Sequence, residues 1–261
     1  MDLTIAQRHE MPSCEMGNGV VRCKTISGAG TRRGKGTLAM IDIFDILGPV
    51  MVGPSSSHTA GAVRIGRMAR TLLGGEPVRA EIGLYGSFAE TGRGHGTDRA
   101  LVAGLLGMAP DDLDVPNSFE IAKERGLEFL FKVIQLREAH PNTAVLEVTA
   151  EDGRRLVLRA VSTGGGRIRV EQVDGVDVGF TGDFNTLIVR HRDIPGTLAA
   201  ITKELSKFRA NVANMSLCRD RRGGEALMVL ETDQPVSPVA REMVAEVPGV
   251  ERVTYYEKEA D

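Results

Sequence analysis

Tryptophan is absent from this 261-residue chain, aromatic residues make up only 4%, and cysteine occurs three times. The three thiols, Cys14, Cys23 and Cys218, are scattered and odd in number, which argues against a disulfide-stapled secreted domain. An iron–sulfur cluster takes about four thiolates in most proteins and three in some, a set this chain does not easily assemble alone. No apolar run approaches the roughly 20 residues of a membrane span, and the N-terminus has no apolar core of a secretory signal. A large excess of charge of one sign is also missing: the net is −3 with a pI near 6.0, so neither nucleic acid nor an acidic membrane is an expected partner. The short basic run Arg32, Arg33, Lys35 is interrupted by glycine and reads as a solvated segment. The expectation is a cytoplasmic globular protein.

Residues 1–39 mix polar residues and glycine without a helical or strand period and read as a disordered extension. Order is expected from Ile41. The run Ile41–Leu47 leads into a loop, Gly48–Thr59, and then a helix with Ile65, Met68, Ala69 and Leu72 on one face and Gly74-Gly75 at its end. Val78, Ala80, Ile82 and Leu84 alternate as a strand does. A second Gly-rich loop, Gly86–Thr97, precedes a helix carrying Leu101, Leu105 and Met108, and the segment from Phe119 to Glu138 reads as helical. Ala144–Ala150 and Arg154–Ser162 form a hairpin through Glu151-Asp152-Gly153. Gly164-Gly165-Gly166 opens a strand, Ile168–Val173, and Gly175–Asp183 reads as a linker. The last part, Thr186–Tyr256, has the order strand, helix, strand, strand, helix, strand, the ferredoxin-like βαββαβ arrangement, with a helix starting at Pro195. The fold class is therefore α+β, with units at 40–182 and 183–261.

Two loops carry chemistry. Gly53-Pro54-Ser55-Ser56-Ser57-His58-Thr59 opens directly into a helix, where free N–H groups and the helix dipole favour an anion. Its hydroxyls suit a carboxylate or phosphate, and His58 can move protons near neutral pH. A serine-rich cap beside a surface histidine is the other reading, and the residues alone leave both open. The second loop carries His95 and ends at Thr97 and Asp98, possible caps of the next helix. It has neither the spacing of a dinucleotide fingerprint nor the Lys-Ser/Thr of a P-loop.

The runs FDILGPVMVGPSSSHTAGAVRIG and GSFAETGRGHGTD resemble the beta chain of bacterial iron–sulfur-dependent L-serine dehydratases, and the resemblance covers about residues 41–261. Ser162-Thr163-Gly164-Gly165-Gly166 resembles the same family's beta domain, which is related to the allosteric substrate-binding domain of some phosphoglycerate dehydrogenases; a bend with no ligand is the alternative for this motif. The resemblance implies a mixed α/β serine dehydratase beta-chain domain, conversion of L-serine to pyruvate and ammonium, and a [4Fe–4S] cluster ligated by a separate alpha chain. It implies substrate binding by Ser55, Ser56, Ser57, Thr59 and Thr97 and proton transfer by His58 or His95, with no metal ligand in this chain.

His191-Arg192-Asp193-Ile194-Pro195-Gly196 at the first strand–helix junction of the C-terminal part resembles an ACT domain. That resemblance implies a regulatory ligand near His191, Asp193 and Asn211, and homodimerisation through the ACT and beta domains. A structural turn is the alternative for this junction. A non-catalytic regulatory amino-acid-binding protein built from the same two domains is the rival to the enzyme-subunit reading. A phosphoglycerate dehydrogenase fragment is a weaker rival, since no nucleotide-binding domain is visible.

Overall fold

A computed structural model describes residues 50–258; the extension at 1–39 and the run Ile41–Leu47 lie outside the described residues. The first described helix, α1 (Gly61–Leu73), is preceded by one turn of π-helix over Ser56–Ala60 and ends on Gly74 in the left-handed conformation. Its apolar spacing buries Ile65, Met68, Ala69 and Leu72, as the sequence predicts. Strand β1 (Pro77–Tyr85) follows, with Ala80, Ile82 and Leu84 turned inward.

The residues read as a second loop are instead a helix, α2 (Ser87–His95), followed at once by α3 (Thr97–Leu105). Each helical glycine costs about 1 kcal/mol relative to alanine, and that propensity argument favours a loop. Tertiary packing outweighs it. Phe88 is fully buried, and Gly86 takes a φ of 57° and lies so close to Pro141 that a Cβ would come within 2.7 Å of the Pro141 carbonyl oxygen.

The segment expected to be helical from Phe119 to Glu138 is only partly so. Helix α4 (Ser118–Glu124) is followed by Gly126 at a φ of 74°, and strand β2 (Glu128–Val133) then pairs parallel to β1. Alternation of Phe129 and Phe131 is the strand signal that the helical reading overlooked. Strands β3 (Thr143–Ala150) and β4 (Arg155–Gly164) form the expected hairpin, and β5 (Arg167–Val173) follows the triple glycine, whose three φ values are all positive. The expected linker contains a further strand, β6 (Val176–Phe180). Asp174 and Gly175 both take positive φ, the two-residue turn that a tight hairpin requires, and Phe180 is buried. The first sheet has the order β2-β1-β3-β4-β5-β6.

The second sheet is built from β7 (Asn185–Arg192), β8 (Val212–Arg219), β9 (Glu225–Thr232) and β10 (Val250–Tyr256) in the order β10-β7-β9-β8, with helices α5 (Thr197–Lys207) and α6 (Pro238–Ala245). This is the predicted ferredoxin-like arrangement. Helix α5 starts two residues after Pro195, because Gly196 takes a φ of 94° and still belongs to the turn. Residues alternate between two cores, as the period of a strand requires. Leu187, Val189, Met228 and Leu230 pack with Ile201, Leu205, Ala240 and Val244 of the helices. Ile188, Leu227, Val229 and Tyr256 belong to the core of the first sheet, with Met68 and Leu72 of α1. Arg252 of β10 donates to the carbonyls of Leu72 and Leu73, at 3.2 and 2.9 Å, satisfying the C-terminal end of α1.

Candidate active site

Helix α1 begins where β1 delivers the chain into α2, so the two sequence motifs meet at one end of the first sheet. Ser55, in an extended conformation, is the cap of the π-turn: its Oγ accepts the backbone N–H of His58 at 3.2 Å. The Gly61 N–H reaches back to the Ser56 carbonyl, which is the wider spacing of a π-turn, a feature frequent at functional sites. Gly61 is needed there, since a Cβ would stand 2.2 Å from the Oγ of buried Ser162.

The capped turn aims His58 at α2. Its Nδ1 lies 3.0 Å from Ser57 Oγ and 3.4 Å from Ser55 Oγ; its Nε2 lies 3.1 Å from both Ser87 Oγ and Thr91 Oγ1. Phe88 meets the ring edge-on at 5.3 Å between centroids, and His95 tilts against it at 5.2 Å. An imidazole with hydroxyls on both nitrogens and an apolar ring against its edge is held in one orientation while its outer side remains accessible.

Partial burial, and secondly the neighbouring charge of His95, hold the His58 imidazole below its ordinary value of 6.5, against an opposing contribution from the Ser87 backbone. The fold therefore favours neutral His58, the form a general base needs. Because the folded value lies below the unfolded one, stability at this residue is complete above pH 6.5 and declines as pH falls below it. Titration followed by the imidazole proton resonances is expected to give His58 a midpoint below 6.5; a midpoint at or above it would contradict this environment.

The remaining residues predicted for this site are placed less uniformly. Ser56 is half-buried beside Ser55 and Ser57. Thr59 is buried, and its hydroxyl donates to the His95 carbonyl at 3.4 Å, so it ties the two motifs together from beneath. Thr97 is fully buried, and its Oγ1 has no hydrogen-bond partner among the described residues. His95 is exposed. Ser87 and Thr91, which the sequence reading missed, stand one helical turn apart on α2; that spacing becomes a signal only once the segment is taken as a helix. The triple glycine turns beside α1, where its Gly166 carbonyl accepts from Arg64 at 3.0 Å.

In the second sheet, His191 is buried, with Nδ1 2.8 Å from the Arg192 carbonyl oxygen and Nε2 unpartnered among the described residues. Asp193 Oδ2 accepts from the Gly223 N–H at 3.0 Å and from Arg219 at 2.6 Å, and those bonds hold its carboxyl below the usual carboxylate range. Asn211 is not with them. It lies beside Asp233, where β8 begins, a strand length of roughly 25 Å from the Asp193 turn.

Among the described residues no three His, Cys, Asp or Glu side chains gather as a metal site, and Cys218 lies on β8 of the second sheet. These residues do not fit an iron–sulfur cluster. No described helix is long and apolar enough to cross a membrane.

Residues 39–173 match the family model described as serine dehydratase beta chain, and residues 185–249 match that of the ACT domain. The probable L-serine dehydratase beta chain of Bacillus subtilis (strain 168) is 42% identical over 212 residues, covering 81% of this chain and 96% of the relative. The L-serine dehydratase beta chain of Peptoniphilus asaccharolyticus is 34% identical over 212 residues, covering 81% and 94%. D-3-phosphoglycerate dehydrogenase of Synechocystis sp. is 28% identical over 194 residues, 72% of this chain but only 34% of that protein.

Proposed function

This chain belongs to the serine dehydratase beta-chain family and carries an ACT domain, and from that premise we propose that it joins an alpha chain to convert L-serine to pyruvate and ammonium. The observation that carries the reading is the His58 imidazole held in one orientation by serine and threonine hydroxyls at the start of a helix. In this reading the hydroxyls of the serine loop and its free N–H groups bind the substrate carboxylate. His58 takes the Cα proton and returns it to the departing β-hydroxyl, which leaves as water, and the resulting aminoacrylate tautomerises to an imine. Water hydrolyses the imine to pyruvate and ammonium, so the water lost in elimination is regained.

A [4Fe–4S] cluster on the alpha chain would supply Lewis acidity toward the departing hydroxyl. In this reading His95, 5.2 Å from the His58 ring, tunes His58 through its charge. The ACT domain would serve regulation, with the turn at His191 and Asp193 as its ligand end, and homodimerisation and a cytoplasmic location belong to the same proposal. Co-expression with a cysteine-bearing alpha chain under anaerobic conditions is expected to yield a brown, oxygen-sensitive complex that forms pyruvate from L-serine. A colourless chain that binds serine alone and never supports turnover would instead mark a regulatory binding protein.

A further inference from the structure

Thr91 has one hydroxyl proton, and that proton is committed. Its Oγ1 donates to the Ser87 carbonyl, one turn back along α2, at 2.8 Å. The same oxygen lies 3.1 Å from His58 Nε2 and, with its proton spent, can meet that nitrogen only as an acceptor. An acceptor facing Nε2 calls for a proton on Nε2. A neutral imidazole has a single N–H, so Nδ1 keeps its lone pair.

The other side of the ring is arranged to suit. Ser55 Oγ accepts the His58 backbone N–H and lies 3.3 Å from Ser57 Oγ, which lies 3.0 Å from Nδ1. In the absence of substrate, Ser55 can thus donate to Ser57, and Ser57 to Nδ1, so these hydroxyl protons run toward one nitrogen. Ser87 Oγ, at 3.1 Å from Nε2, can donate or accept and does not choose between tautomers. Thr91 does, because in the opposite tautomer it must either give up the Ser87 carbonyl to donate to Nε2 or face that nitrogen lone pair to lone pair.

We propose that Thr91 is a positioning residue that sets the tautomer of His58, keeping the proton on Nε2 and leaving Nδ1, on the serine-loop side, as the nitrogen that takes protons. The use of that nitrogen in turnover rests on the dehydratase reading; the tautomer itself does not. Helical threonines commonly bond back to their own helix with no further role, and the test separates the two cases.

Long-range proton–nitrogen correlation spectra of the full chain, labelled with 15N-histidine in mildly alkaline buffer, report each tautomer, and the His58 signals are identified by their loss in His58→Gln. The expected result is an Nε2–H pattern in the parent chain. Thr91→Val, isosteric but without the hydroxyl, should raise the Nδ1–H share at least roughly threefold, and Thr91→Ser should restore the parent pattern. An Nδ1–H pattern in the parent, or a Thr91→Val spectrum matching the parent's, would overturn the proposal. In the assembled complex, Thr91→Val should lower kcat by roughly tenfold with little change in KM. The expected spectra from a chain whose complex never forms pyruvate would retain the tautomer assignment and reject the dehydratase reading alone.

Discussion

Replacing His58 with alanine in the assembled enzyme is expected to lower kcat by roughly 10²–10⁴-fold, the usual contribution of a positioned acid–base group. The loss should fall on kcat more than on KM, because the substrate carboxylate is assigned to the hydroxyls and N–H groups around the ring, not to the ring. Melting should change little, since the imidazole is only half-buried and its four hydroxyl neighbours remain solvated without it. Turnover by His58→Ala at the parent rate would remove His58 from the chemistry. His95→Ala makes a sharper comparison. It removes a positive neighbour that depresses the His58 value, so the acid limb of kcat/KM should move to higher pH while much of the rate survives. If instead His95→Ala abolishes turnover and His58→Ala does not, the two roles are exchanged.

The largest expected effect on stability lies elsewhere, where α1 and α3 touch backbone to backbone. A Cβ on Gly66 would stand 2.3 Å from the Leu101 carbonyl oxygen, and one on Gly104 would stand 2.1 Å from the Val63 carbonyl oxygen and 2.7 Å from the Arg67 nitrogen. Neither neighbour is a flexible side chain that can swing away, so the helices themselves must separate. Gly104→Ala is expected to cost about 3 kcal/mol, at the upper end for overpacking. For a chain of this size that corresponds to a fall of roughly 6–12 °C in Tm, read by calorimetry. A Tm within roughly 1 °C of the parent would show that the contact is not as close as described. Because α1 continues directly from the π-turn that carries His58, the same substitution should also impair turnover at temperatures where the chain is still folded.

The parts of this fold that were legible in the sequence are those whose cause is local. The apolar face of α1 with its glycine stop, the hairpin through Glu151-Asp152-Gly153, and the order of elements after Thr186 all follow from period and turn chemistry. The three misread segments have their causes in distant residues or in a signal given too little weight. Helix α2 forms despite its glycines because Phe88 is buried and Gly86 abuts Pro141, more than 50 residues away. Strand β2 is drawn out by the edge of β1, and β6 by an Asp-Gly turn at the start of what looked like a linker. The candidate site divides in the same way. Ser55, Ser57 and His58 are neighbours in sequence and announce themselves, whereas Ser87 and Thr91 reach His58 across 29 and 33 residues. Asn211, grouped with Asp193 by the ACT resemblance, is separated from it by the length of β8.

The sharing of Ile188, Leu227, Val229 and Tyr256 between the second sheet and the core around α1 makes the two sheets one thermodynamic object. Excising residues 185–258 would uncover the apolar sides of Met68 and Leu72 and leave the Leu72 and Leu73 carbonyls without the Arg252 guanidinium. The C-terminal sheet is thus no detachable appendage: the part that would sense a ligand and the helix that presents His58 should melt together, in a single cooperative transition.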